Sequence, residues 1–249
     1  MLHAEQWGKG DPVVLIHGFT QSARSWGAIG AALASDHRVI ALDAPGHGRS
    51  AQVAADLSTG ADLMAASVGT AATWLGYSMG GRYALHVAVR HPDLVARLVL
   101  VSATAGLDVP EARGARREAD EGLADRIERE GVERFVRWWL ARPLFATLPS
   151  EAAALDSRLD NTAAGLASSL RLAGTGTQQP LWSVLHQLEM PVLVVAGDLD
   201  AAYLAHGRRL VAGIGPNASL AVISGAGHAC HLEQPAAFLD AVLPFLDRH

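Results

Sequence analysis

The run Gly76-Tyr77-Ser78-Met79-Gly80, followed directly by Gly81, restricts the chain more than any other stretch. It has the pattern G-x-S-x-G. An apolar segment, Ala72 to Leu75, precedes it and reads as a short strand. Arg82 to Arg90 follows, with Ala84, Leu85, Val87 and Ala88 at helical spacing. A strand that turns sharply into a helix is the setting in which this pattern holds a serine hydroxyl above the end of a sheet. Such a tight turn brings neighbouring backbone close, which predicts no room for a side chain at positions 76 and 80. An idle serine in a turn of small residues would share the pentapeptide, so partners for Ser78 have to come from elsewhere in the chain.

The surrounding pattern supplies a sheet. Pro12 to Ile16, Arg38 to Leu42, Leu98 to Val101, Pro191 to Ala196 and Leu220 to Ile223 are short apolar runs of the kind that form buried strands. Helical stretches alternate with them, at about 25–33, 56–72 and 235–246; Gly60 and Gly69 interrupt the second. This alternation predicts a mostly parallel central sheet with helices on both faces. From Gly106 the texture changes. Residues 111–172 are helical and charged, with no strand signal, and a third helix of this region is expected over 151–172. The predicted layout is a core formed by 1–105 and 186–249, with a helical lid over 106–185: an α/β-hydrolase fold.

A serine hydroxyl is a weak nucleophile or base until a neighbouring base takes its proton, and a histidine held by a carboxylate suits that task near neutral pH. In this fold the partners follow in the order Ser, Asp or Glu, His, at the carboxyl ends of strands. Two strands remain after the insertion. One ends in Gly197-Asp198-Leu199-Asp200 and the other in Gly225-Ala226-Gly227-His228. Asp200 and His228 are therefore the expected partners of Ser78. Asp198 is the other candidate acid; Asp200 is preferred because it lies further past the strand end, and loop capping accounts for Asp198 and for Asp43. Backbone N–H groups of Met79 and Phe19 are the expected donors to a developing oxyanion. His17 and His47 lie in loops on the same rim, where either could support the site, and Cys230 and His231 are expected to start the last helix or to pack behind it.

Net charge is −5, and no run of Lys or Arg stands out, which argues against a nucleic-acid partner. The one cysteine has no internal partner, the first ten residues hold no apolar leader core, and no apolar run approaches the ~18 residues of a membrane span. A cytoplasmic protein acting on a small molecule is the expectation. No His/Cys/Asp spacing matches a metal site. The arginines narrow the substrate class. Arg82 sits one turn after Ser78, Arg113 and Arg116 share a helix face, and Arg158 begins the expected third lid helix. Any one of them could sit on a solvated face. Several converging on one pocket would bind carboxylates, because guanidinium and carboxylate match in a two-pronged geometry.

Leu15 to Phe19, Asp43 to Ser50, Gly76 to Arg82, Phe135 to Phe145 (FVRWWLARPLF), Gly165 to Trp182 (GLASSLRLAGTGTQQPLW) and Gly225 to Pro235 (GAGHACHLEQP) together resemble the 2-succinyl-6-hydroxy-2,4-cyclohexadiene-1-carboxylate synthases of menaquinone biosynthesis. The similarity spans nearly the whole chain. The elbow with Tyr77 and Arg82, the W-x-x-x-P-L-F segment and the G-T-G-x-Q run are its more specific parts. The resemblance implies a lyase that removes pyruvate from an enolpyruvyl ether without acyl-enzyme or cofactor. It implies Ser78, Asp200 and His228 as the triad, Arg82, Arg113, Arg116, Arg158 and Trp139 as substrate contacts, and Tyr77 near the pocket. A serine esterase, lactonase or carbon–carbon hydrolase would use the same triad. A silent binding protein would have no use for it. The chain departs from the family at Ala105-Gly106-Leu107, where Pro often precedes Gly-Leu. It departs again at Ala201-Ala202-Tyr203, where a polar residue and then Phe are common.

Overall fold

A computed structural model describes residues 1–247. Seven strands form one sheet: β1 (Ala4–Trp7), β2 (Asp11–Ile16), β3 (His37–Leu42), β4 (Ala72–Tyr77), β5 (Val95–Val101), β6 (Val192–Gly197) and β7 (Ala218–Ile223). Their order is β1-β3-β2-β4-β5-β6-β7. Every pairing is parallel except the edge, where β1 runs antiparallel to β3. β1 is absent from the sequence reading because Ala4-Glu5-Gln6-Trp7 has no apolar run; its main chain is recruited by the open side of β3.

The inner strands are apolar on both faces, and successive residues serve opposite sides. Val14, Ile16, Leu98, Leu100 and Val194 pack with α2 (Leu57–Val68), α3 (Met79–Arg90) and α8 (Ala201–Ile214). Val13, Leu15, Val99, Val101 and Val195 pack on the other face with α1 (Gly27–Leu33), the short α9 (Cys230–Glu233) and α10 (Pro235–Leu246). The two glycines that interrupt the second predicted helix have separate explanations. Gly60 lies against the Tyr83 ring, where a Cβ would overlap, and Gly69 terminates α2 at φ 66°. α8 has only a weak sequence signal and was not expected.

Between β5 and β6 the chain forms α4 (Pro110–Glu130), α5 (Val132–Leu140), α6 (Leu155–Leu159) and α7 (Ala163–Ala173). The expected single helix over 151–172 is broken into a 3-10 turn, α6 and α7. Two features break it: Ala154 sits at φ 51°, and Thr162 caps α7 by accepting from the Gly165 N–H. These inserted helices have a small core of their own, with Ile127, Phe135, Val136, Leu166 and Leu170; Phe19 and Trp139 pack against it. Arg171 on α7 ties it to α4 through Glu121, Asp125 and Glu128.

Candidate active site

β4 delivers Ser78 into the turn before α3 with φ 51° and ψ −106°, a conformation that costs a non-glycine residue on the order of 1–3 kcal/mol. The Ser78 N–H donates to the Val101 carbonyl at 2.8 Å, and its own carbonyl accepts from the Arg82 N–H at 3.1 Å. A Cβ at Gly76 would overlap the Gly80 carbonyl, and one at Gly80 would overlap the Ile16 carbonyl. The strained turn is therefore held by backbone packed on backbone.

Ser78 Oγ lies 2.9 Å from His228 Nε2, and His228 Nδ1 lies 2.8 Å from Asp200 Oδ2. The two contacts join residues 150 and 28 positions apart in sequence. An ionised carboxylate only accepts, so Nδ1 donates to Asp200, which leaves Nε2 as the acceptor for the Ser78 hydroxyl proton. Between the two candidate acids, the structure brings Asp200 to His228. Asp198 instead accepts from Ser224 Oγ and the Gly225 N–H and shapes the loop ahead of the histidine. Glu233, which the sequence reading overlooked, accepts from the Gly227 and Ala229 N–H groups at 2.7 and 2.9 Å and so holds both amides that flank His228.

The neighbouring rim is kept neutral and rigid. His17 Nδ1 donates to the Gly18 carbonyl, and its Nε2 accepts from the Ala44 N–H. His47 Nδ1 donates to the Pro45 carbonyl, and its Nε2 accepts from the Thr20 N–H. Burial pushes these imidazoles down to about 4 and about 3. Asp43 accepts from the Ala23 and Arg49 N–H groups, a loop-fixing role. His231 packs against Tyr77 behind His228, with ring centroids 4.4 Å apart and planes inclined by 53°. Met79 and Phe19 lie beside Ser78 at the cavity wall. Neither main-chain N–H has a protein acceptor among the described residues.

Two cavities border Ser78. The larger, about 480 Å³, is lined by Phe19, Trp139, Tyr203, Arg82, Arg116 and Arg142 among others, a size suited to a small molecule. Arg142 carries no sequence signal beyond its charge; it lies over the Trp138 and Trp139 rings. The smaller cavity, about 30 Å³, is bounded by Tyr77, Arg158 and Phe145. Arg82 is 7% exposed and donates to the Ala173 carbonyl at 2.7 Å. Arg158 is 1% exposed and donates to the Ala153 and Phe19 carbonyls and to Thr20 Oγ1. Burial lowers both guanidinium pKa values, that of Arg158 to about 10. Neither has a carboxylate partner within ion-pair distance among the described residues. Arg116 pairs with Asp120 at 2.8 Å at the cavity wall.

Arg113 is a correction. It shares the helix with Arg116 but folds back to donate to the Leu107 and Asp108 carbonyls, and it is not part of the cavity wall. Leu107 and Asp108 precede the helix, so their carbonyls take no part in its hydrogen-bond ladder, and Arg113, one turn in, reaches back to them. Asn161, just after α6, adds a second clasp on the rim, donating to the Thr20 carbonyl at 2.7 Å and accepting from the Gly48 N–H at 2.8 Å. Among the described residues no cluster of three His, Cys, Asp or Glu could hold a metal ion, and no helix is long and apolar enough to cross a membrane.

A profile of the alpha/beta hydrolase fold matches residues 11–235. A protein of Enterobacter sp. (strain 638) named 2-succinyl-6-hydroxy-2,4-cyclohexadiene-1-carboxylate synthase is 35% identical over 90% of this chain and 87% of its own. A Bacillus subtilis (strain 168) protein, given the same name provisionally, is 35% identical over 95% of this chain and 90% of its own. Among solved structures, MenH from S. aureus superposes with a TM-score of 0.92 at 29% identity, covering 99% of this chain and 98% of that one. A thermophilic esterase from Thermogutta terrifontis, solved with malate bound, superposes with a TM-score of 0.84 at 29% identity over 98% and 92%. Its sheet order, its elbow and these relatives agree: the chain belongs to the alpha/beta hydrolase fold family and, within it, groups with the 2-succinyl-6-hydroxy-2,4-cyclohexadiene-1-carboxylate synthases.

Proposed function

We propose that the protein is a carbon–oxygen lyase of menaquinone biosynthesis. It converts 2-succinyl-5-enolpyruvyl-6-hydroxy-3-cyclohexene-1-carboxylate to 2-succinyl-6-hydroxy-2,4-cyclohexadiene-1-carboxylate and pyruvate. The observation that carries this reading is the pair of buried guanidinium groups, Arg82 and Arg158, each lining a cavity that Ser78 borders and each without a carboxylate partner among the described residues. A buried charge is costly unless it is paired. A substrate with three carboxylates supplies the missing partners, and a neutral ester supplies none.

In the proposed mechanism, Asp200 holds His228 so that Nε2 faces the Ser78 hydroxyl and can take its proton. Ser78 Oγ then takes the ring proton next to the succinyl ketone. The charge that develops on the ketone oxygen is met by the Phe19 and Met79 N–H groups. As the electrons return, the ring double bond shifts and the bond from carbon to the enolpyruvyl oxygen breaks, leaving a conjugated diene. The departing enolate is protonated to pyruvate, and His228 returns to its neutral state. No bond forms between Ser78 and substrate. Trp139 and Arg116 complete the wall that orients the ring, with Tyr77 backing His228. The buried, unpaired Cys230 is compatible with a cytoplasmic setting.

The test is direct. Purified protein supplied with the enolpyruvyl substrate should release pyruvate, while turning over p-nitrophenyl esters poorly. Ser78→Ala should lower pyruvate release by at least about a thousandfold without loss of fold. Fast ester turnover with no pyruvate would replace the lyase by a serine hydrolase.

A further inference from the structure

Tyr203 occupies a position at the site with no role assigned so far. It lies on the first turn of α8, three residues after Asp200. The Asp200 carboxylate is shared: Oδ2 accepts from His228 Nδ1, and Oδ1 accepts from the Tyr203 N–H at 3.2 Å. Tyr203 is thereby held in register with the Ser78–His228 pair. Its ring packs on His228 with centroids 4.4 Å apart and planes inclined by 58°. It lines the larger cavity together with Arg82 and Arg116. The hydroxyl has no protein partner among the described residues. Burial raises its pKa, and the two arginines pull the other way without making the phenol acidic near neutrality, so the hydroxyl keeps its proton.

We propose that Tyr203 is a substrate-binding residue whose hydroxyl donates to a substrate carboxylate held by Arg82 and Arg116, forming a three-donor anion cradle. The proposal rests on the lyase reading for the identity of the substrate. Arg82 spends one N–H on the Ala173 carbonyl and Arg116 spends one on Asp120, which leaves each with further donors. A carboxylate has about four lone-pair sites, enough for both guanidinium groups and a phenol. A phenylalanine at this position would keep the packing on His228 and lack the donor.

Tyr203→Phe separates donor from ring. The readouts are KM and kcat for pyruvate release, and the affinity for succinate, measured by calorimetry as a simple dicarboxylate probe, with Arg82→Ala as the control that should abolish probe binding. The expected result is a rise of about tenfold in both KM and the succinate Kd, with kcat changed by less than about twofold. Unchanged KM and Kd in Tyr203→Phe would overturn the proposal, and so would failure of the wild-type protein to bind succinate. A wild-type protein that binds succinate but releases no pyruvate would remove the lyase reading. The two succinate affinities alone would then decide the role of Tyr203.

Discussion

At the scale of single residues, Asp200 and Asp198 make a natural experiment. They are two positions apart, and both accept hydrogen bonds, yet only Asp200 reaches His228. Asp200→Asn places a donor against Nδ1 and favours the wrong tautomer, so pyruvate release should fall by on the order of a thousandfold or more. Asp198→Asn should leave kcat within about threefold, because it removes only loop contacts. Comparable losses in both would mean that the carboxylates act through the loop and not through the imidazole. Arg82 gives a second prediction. Arg82→Met fills a similar volume while removing a buried cation that has no ion-pair partner among the described residues. Replacing such a charge by an apolar chain is often neutral or stabilising. The expected variant therefore melts no lower than wild type while kcat/KM falls by about a hundredfold. A lower melting temperature with kcat/KM intact would mark Arg82 as a structural residue.

At the scale of elements, glycines mark where the fold has no slack. A Cβ on Gly80 would meet the Ile16 and His17 carbonyls, and neither strand nor loop can yield. Gly122, on the exposed side of α4, has nothing within 4 Å. Gly80→Ala should lower the melting temperature by about 10 °C or more, whereas Gly122→Ala should raise stability by about 0.5–1 kcal/mol; thermal unfolding of the two variants checks both. The same contrast shows what was legible in the sequence. Ser78, His228 and six of the seven strands could be read from it because local pattern and chain order both point to them. β1 could not, because an edge strand is recruited by hydrogen bonding to β3 and needs no apolar run. Arg113 and Arg116 share a helix face, and only the tertiary surroundings send one to the carbonyls ahead of the helix and the other to the cavity. Glu233 and Asn161 were silent because their tasks, holding the amides around His228 and the carbonyl of Thr20, exist only once distant loops meet.

At the scale of the whole molecule, several imidazoles are buried in neutral form. His17, His47 and His231 are pushed down from 6.5 to about 4, about 3 and about 3, chiefly by burial. Unfolding releases them to their ordinary values, so between pH 6.5 and about 4 the unfolded chain binds more protons than the folded one. Their contribution is complete above pH 6.5 and is lost as pH falls towards the folded values, at about 1 kcal/mol per histidine for each pH unit. Melting temperature should therefore decline steadily from pH 7 to pH 5, and a flat profile across that window would contradict neutral burial. The clasp that Arg158 and Asn161 place on Phe19 and Thr20 has a different bearing. These two side chains belong to the inserted helices, while the backbone they grip belongs to the rim of the sheet. A chimaera that borrowed its insertion from a distant cousin would arrive without the hand that keeps residues 19–20 in shape. Ligand preference and the readiness of the reacting serine are inherited here as a single package, so swapping roofs at the strand ends is a poor route to new specificity.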